Sequence, residues 1–434
     1  MFTPLRRPLR VWRDGPDSSF EQVLVKLPPN NEIPLMKPRL TIVLPLKGRH
    51  LFTLRFLWHA NSARLPYRIL IADGQVHPTL AGILENSREH FANLDIDYVR
   101  YPDDLDFHHF WVKMADALHR VTTPYAMQVD NDDFVAHTGT ERSLDFLEAN
   151  TGYVCCGGGL AGFSVYSGLH DPNNGLIGYP NRYTYRYTYL DRSDDFSSTS
   201  AVERLRKGSR NWWCYYAVYR TDALKTICRE IVEIDFSDRQ LHEFYYAMRT
   251  LTLGKARSDP STIAYLRQYG TSLLSSFPKD WVHHLLRSRF TSDFQNMIDR
   301  ISAQAAAADG ADSAQVAEML RGICEEWLRE FLRIYYGSLQ PVKQLMRDHT
   351  PRFFNWLKKR RRYFVGTERA ALFSRLAADG ASVEYLEKFD AELAAIEEVL
   401  TGKAFAQFVQ PYLSVLGATS LPAQTTPVRW QSAV

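Results

Sequence analysis

RLTIVLPLKGRHLFTLRFLWHANSARLPYRILIADGQ spans residues 39–75. It opens as an apolar, β-branched run that stops at Pro45, Lys47 and Gly48. Apolar residues then return at helical spacing, at Leu51, Leu54, Phe56, Leu57 and Trp58. A second apolar run, YRILIADGQ, ends in Asp73 and Gly74. Strand, helix and strand joined by short connections form the repeating unit of a parallel sheet.

The pattern continues toward the C-terminus. HPTLAGILENSREHF reads as a second helix and LDIDYVRYP as a third strand. FHHFWVKMADALHRV is a third helix with Phe110, Met114, Ala117, Leu118 and Val121 on one side, and PYAMQVD a fourth strand. The class is therefore α/β, with a mostly parallel sheet flanked by helices. Ligands of such sheets gather at the carboxyl ends of the strands. Lys47 and Arg49 fall there, then Asp73, then the stretch YAMQVDNDDF, residues 125–134.

That stretch sets Asp130, Asp132 and Asp133 within four residues at a strand end. Crowded carboxylates repel one another unless something compensates them. A divalent cation shared with a substrate diphosphate would do so, since Mg²⁺ and Mn²⁺ favour hard oxygen ligands. The competing reading is a solvated Asp/Asn turn. Asp73 could accept hydrogen bonds from a base or ribose, or simply form an Asp-Gly turn. Lys47 and Arg49 suit a phosphate or nucleotide edge, and Lys113 could reach phosphate from the third helix.

PLKGR, IADGQ and the K-x-x-D-A-L segment near TTPYAMQVDNDDF, in that order, resemble glycosyltransferases of the GT-A fold. The resemblance is to a family-2-like branch of bacterial polysaccharide gene clusters, over about residues 38–270. It implies a nucleotide-sugar donor, Mg²⁺ or Mn²⁺, and inversion at the anomeric carbon. By that resemblance Pro45, Lys47, Arg49 and Lys113 line the donor site, Asp73 contacts the base, and Asp130 the ribose or donor sugar. Asp132 would hold the metal, with Asp130 and Asp133 beside it. It further implies an acidic base early in a later helix, here within SDRQLHEFYYAM, with Glu243 first and Asp238 in reserve. The family often shows two acidic residues at this point, whereas this chain has His242 and Glu243, and either fits as the base. Arg267 would lie near the diphosphate. Trp212 and Trp213 fall where an acceptor sugar meets aromatic faces, although core packing explains them equally.

The flanks carry less information. Residues 1–38 form a Pro- and Arg-rich arm with one short strand at Gln22–Leu27; residues 39–274 form the α/β domain; residues 275–434 read as a helical module. Within the last, AQAAAADGADSAQ is expected to be a mobile linker. GGG at Gly157–Gly159 allows close backbone approach or a mobile loop, and Tyr183, Tyr185, Tyr187 and Tyr189 alternate along a strand-like segment. Lys358, Lys359, Arg360, Arg361 and Arg362 lie between aromatic clusters. They fit a helix on an anionic membrane surface, a solvated helix face, or a homodimer contact.

A formal net charge of +3 over 434 residues gives no global field for nucleic acid. Five cysteines at irregular spacing fit reduced thiols and a cytoplasmic protein, at most bound to the inner face of the membrane. No signal peptide or membrane-spanning run is evident. The acceptor would be a glycan or lipid-linked glycan hydroxyl. Two other classes stay open: a nucleotidyltransferase, disfavoured because PLKGR has a single glycine, and a non-catalytic glycan- or membrane-binding scaffold.

Overall fold

The computed structural model describes residues 25–27, 37–163, 195–208, 212–268, 288–337, 350, 369–401 and 403–416. The Tyr183–Tyr189 segment and the Lys358–Arg362 run lie outside the described residues, as do the side chains of Trp212 and Trp213.

Val43 faces one side of the sheet, while Leu40, Ile42, Leu44 and Leu46 face the other. All belong to β2 (Leu40–Leu46), which is buried throughout its length. The period-2 alternation therefore places apolar side chains on both faces, as a strand between two helical layers requires. α1 (His50–Ser62), β3 (Arg68–Asp73), α2 (Thr79–Asn86), β4 (Asp95–Arg100), α3 (Phe107–His119) and β5 (Tyr125–Gln128) follow. β4, β3, β2 and β5 are neighbours and run parallel. The four-strand parallel core thus agrees with the expected α/β class.

The remaining strands make the sheet mixed. β1 (Val25–Leu27) pairs antiparallel with β4 at one edge, which fits the short strand expected in the N-terminal arm. On the other side lie β9 (Val218–Arg220), β7 (Tyr153–Phe163), β10 (Lys255–Gln268) and β6 (Phe134–Val135), with β8 (Asp195–Phe196) alongside β10. β9 is antiparallel to β5 and to β7, and β7 is parallel to β10. Gly157–Gly159 lie within β7 and are not a loop. β10 bulges over them, and a Cβ on Gly158 would come within 2.8 Å of Ala264 N and Thr262 O. The glycines serve close backbone approach.

Helices cover both faces. α4 (His137–Ala149) and α1 lie on one; α3, α5 (Ala201–Lys207), α6 (Thr221–Ile234) and α7 (Arg239–Leu253) lie on the other. The later helices are α8 (Phe290–Asp309), α9 (Ser313–Gly337), α10 (Arg369–Ala378), α11 (Val383–Thr401) and α12 (Lys403–Val409). They bury their apolar faces on this same body. α8 and α9 join the α7 side through Met297, Ile301 and Leu320, and α12 packs against α1 through Phe408 on Trp58.

The expected linker AQAAAADGADSAQ is not one. Residues up to Asp309 complete α8, Gly310 adopts a φ of 65° at its end, and Asp312 caps the start of α9 by accepting from Ala314 N and Gln315 N. Asp309 also accepts from Ser200 Oγ, Ala201 N and Val202 N, capping α5 from a distance. Alanine is the strongest helix former, so an alanine run before a glycine stop reads better as a helix end than as a tether. No helix among the described residues is long and apolar enough to cross a membrane.

α10 and α11 pack with β6, β7 and β10 in a third core that contains Phe134, Ala136, Ile263, Leu266, Phe389 and Leu393. Tyr385 Oη accepts from Ile263 N at 2.6 Å, at the bulge of β10. Tyr385→Phe leaves that buried amide without its acceptor and should cost about 1–3 kcal/mol in urea unfolding. An unchanged midpoint would show that the bulge satisfies the amide another way.

Candidate functional site

β5 ends at Gln128, and the next residues turn sharply so that Asp130, Asp132 and Asp133 bring carboxylate oxygens within 4.8 Å of one another. Each sits differently. Asp133 is buried and already bound at both oxygens, accepting from Tyr265 Oη at 2.7 Å and Gln268 N at 2.7 Å. Asp132 Oδ2 lies 3.0 Å from Arg49 Nη2. Asp130 is the most exposed of the three, and its backbone N–H donates to Tyr265 Oη. Enough protein surrounds it that burial, then Asp132 beside it, pushes its carboxyl up to about 6 against the pull of Arg267 and Arg49. Burial, then Asp132 and Asp130, hold Asp133 well above the usual carboxylate range despite its hydrogen bonds from Tyr265 and Gln268.

Three guanidiniums face these three carboxylates. Arg49 is the left-handed residue that opens α1, with φ 56°. Arg267 lies on β10, with its guanidinium 5.7 Å from the Tyr216 ring. Burial alone would lower it, but Tyr216, Asp133 and Asp130 more than offset that, so it stays charged. The third is Arg55, fully enclosed in α1 between the rings of Phe52 and Phe134. Its Nη2 donates to the Asp132 carbonyl at 2.7 Å. Burial brings it down to about 9, while Asp132 and Asp133 favour its charged form.

The donor-side candidates fall at neighbouring strand ends. Asp73 is fully buried; Tyr98 Oη donates to its Oδ2 at 2.8 Å and Gln75 N to its Oδ1 at 2.9 Å. The Asp-Gly turn is thus formed, and His50 Nε2 lies 3.4 Å from the same carboxylate. Lys113 is not an exposed helical lysine. It is 2 % exposed and donates to Asp104 Oδ2 at 2.6 Å and to the Leu46 carbonyl at 3.0 Å. Burial lowers its ammonium despite Asp104. Lys47 donates to the Asp104 carbonyl, and Asp104 occupies the space where a Gly74 Cβ would stand. Asp104 therefore ties the loops after β2, β3 and β4 together. Pro45 is buried in β2 beside Ala72.

The base candidates separate on α7. Asp238 is buried and caps the helix, accepting from Gln240 N at 2.8 Å. His242 is stacked on Trp111, meets Phe107 and Phe236 edge-on, and donates from Nδ1 to the Asp238 carbonyl. Glu243 keeps 28 % of its side chain exposed, 3.7 Å from Arg239 and 3.0 Å from Gln240 Nε2. Its charge is felt at Asp130, Arg267 and Tyr216. Burial raises its carboxyl, against Arg239, Gln240 and Arg267.

No protein-family model matches the sequence, and no curated protein matches it. Among solved structures, S. aureus TarS 1–349 in complex with UDP-GlcNAc is 14% identical, with a TM-score of 0.41 over 87% of this chain and 86% of that one. The mannosyltransferase PcManGT from Pyrobaculum calidifontis, in complex with GDP-Man and Mn²⁺, is 14% identical, with a TM-score of 0.36 over 85% and 88%. Likenesses at this level leave the chemistry to be read from the residues themselves.

Burial pushes His242 down to about 4, and His59 likewise. An unfolded histidine titrates near 6.5, so the unfolded chain binds more protons between about 6.5 and 4. The histidine contribution to stability is therefore complete above about 6.5 and is lost as pH falls through that window. Carboxyls raised by burial, such as Asp130, Asp133 and Glu243, act with the opposite sign, so the histidine contribution is read as a difference: from pH 7 to pH 5 the urea midpoint of wild type should drop relative to that of His242→Phe. A parallel curve for the variant would contradict the assignment.

Proposed function

We propose that the chain is a nucleotide-sugar glycosyltransferase, metal-dependent and inverting, with residues 39–274 holding the donor and residues 275–434 bracing that body. What carries the reading is the meeting of three carboxylates within 4.8 Å at the carboxyl end of a parallel strand, with Arg267 and Glu243 close enough to act on Asp130. Hard oxygen donors in that number suit Mg²⁺ or Mn²⁺. Asp130 and Asp132 would hold the ion, while Asp133, engaged by Tyr265 and Gln268, would fix the turn. When bound, the ion would neutralise the departing diphosphate.

The chain's own groups would do the rest. Glu243 takes the proton of an acceptor hydroxyl as that oxygen attacks the anomeric carbon. The bond from that carbon to the donor phosphate oxygen breaks, and the electron pair leaves with the diphosphate beside Arg267. A single in-line displacement of this kind inverts the anomeric centre. The acceptor would be a glycan or lipid-linked glycan, as surface polysaccharide synthesis requires.

A donor-binding scaffold without turnover has one observation in its favour: three arginines already compensate the three carboxylates. Thermal shift with UDP- and GDP-sugars, with and without Mn²⁺, followed by product detection on any that bind, separates the readings. Metal-dependent binding with turnover supports the enzyme. Binding without turnover supports the scaffold, and no binding of any nucleotide by the folded chain defeats both.

A further inference from the structure

Of the three guanidiniums around the carboxylates, Arg55 is locked between two rings in the core and Arg267 lies on the sheet. Arg49 differs from both. It pairs directly with a carboxylate oxygen, Asp132 Oδ2 at 3.0 Å, and only 11 % of its side chain is exposed. Its Nε is buried without a hydrogen-bond partner, and its guanidinium lies 4.3 Å from the Phe52 ring. Its backbone is left-handed and follows the left-handed Gly48, φ 70°. Among the described residues only Arg64 and Asp235 are other non-glycine residues in that region, and both follow helix ends. A side chain on left-handed backbone, paired with an oxygen that a hard cation also prefers, is placed for exchange.

We propose that Arg49 is the resident counter-ion of Asp132 and changes places with the divalent cation as the donor diphosphate arrives. This rests on the metal reading of the carboxylate cluster. The ion takes the Asp132 carboxylate, and the released guanidinium, whose fork of N–H donors fits phosphate oxygens, turns to the diphosphate. Two cations cannot be held by one carboxylate as strongly as either alone. The ion by itself therefore binds weakly, and the ion with a diphosphate binds well. The site would load with both or with neither.

The test is Mn²⁺ binding to the full chain by equilibrium dialysis, with and without inorganic pyrophosphate. Arg49→Gln should bind Mn²⁺ alone about tenfold tighter than wild type and lose most of the gain that pyrophosphate gives wild type. Arg49→Lys keeps the charge and should stay near wild type for Mn²⁺ alone. Melting curves for each variant establish that it is folded. A folded Arg49→Gln that binds Mn²⁺ no tighter than wild type overturns the exchange. If Asp132→Asn still removes binding in that case, the metal reading survives without it. If neither wild type nor Arg49→Gln binds Mn²⁺ under either condition, the metal reading fails and the exchange with it.

Discussion

Asp132→Ala is expected to lower kcat/KM for sugar transfer by about 10³-fold or more and to abolish its dependence on Mn²⁺. The substitution removes the carboxylate that meets Arg49 at 3.0 Å and whose own backbone carbonyl rests on Arg55. Loss of one preorganised group that stabilises developing charge costs about 10²–10³ in rate, and loss of a metal ligand adds to that. The effect on folding should be small by comparison. Arg49 and Arg55 both lose a counter-charge, offset in part by relief of repulsion from Asp130 and Asp133, so the melting temperature is expected to fall by several degrees with the chain still folded at assay temperature. The checks are initial rates against metal concentration for the donor found by binding, with a melting curve on the same sample. Retained, metal-dependent turnover in the folded variant would remove Asp132 from the metal site.

On the proposed mechanism Glu243→Gln should lower kcat by about 10²–10⁴-fold with little change in donor KM, because it would remove the proton acceptor and little volume. The pH profile distinguishes this role from a structural one. Burial raises the Glu243 carboxyl, and a general base works only when ionised. Wild-type activity should therefore fall on the acid side at a pH above the ordinary carboxylate range, and that limb should vanish from the residual activity of the variant. If activity were intact, the neighbouring His242 would not inherit the role easily. It is 2 % exposed and enclosed by Trp111, Phe107 and Phe236, and burial, which pushes it down to about 4, makes it a weak proton acceptor.

The parallel core was legible because its signals are local. Residues 39–130 alternate apolar strands with amphipathic helices, and Asp130, Asp132 and Asp133 are adjacent in sequence, so their meeting at a strand end needed no long-range inference. The antiparallel strands around β9 and the bulge of β10 depend on pairings between distant segments, such as Cys155 with Tyr219 and Ile263 with Gly159. Arg55 carried no signal at all. In a helix with apolar neighbours an arginine reads as the solvent face, and what encloses this one is the distant turn after β5, through the Phe134 ring and the Asp132 carbonyl. Asp104 was equally silent. Its partner Lys113 lies nine residues away, and the pair forms only because the loop after β4 folds back over Gly74. Asp238 held a signal, an Asp before a helix, and capping is the role that such a position most often serves.

α11 grips the α/β body at two points, Tyr385 on Ile263 of β10 and Glu392 on Thr138 of α4. Ile263 stands two residues before Tyr265 and four before Arg267; Thr138, the second residue of α4, stands five after Asp133. A chain cut before residue 369 would leave Phe134 and Leu266 facing water, each one residue from a carboxylate or guanidinium of the cluster. Removing these helices to obtain a minimal catalytic fragment would thus deform the charged centre from behind. Conversely, a molecule that seized α10 and α11 would have a handle on the carboxylate cluster without touching it.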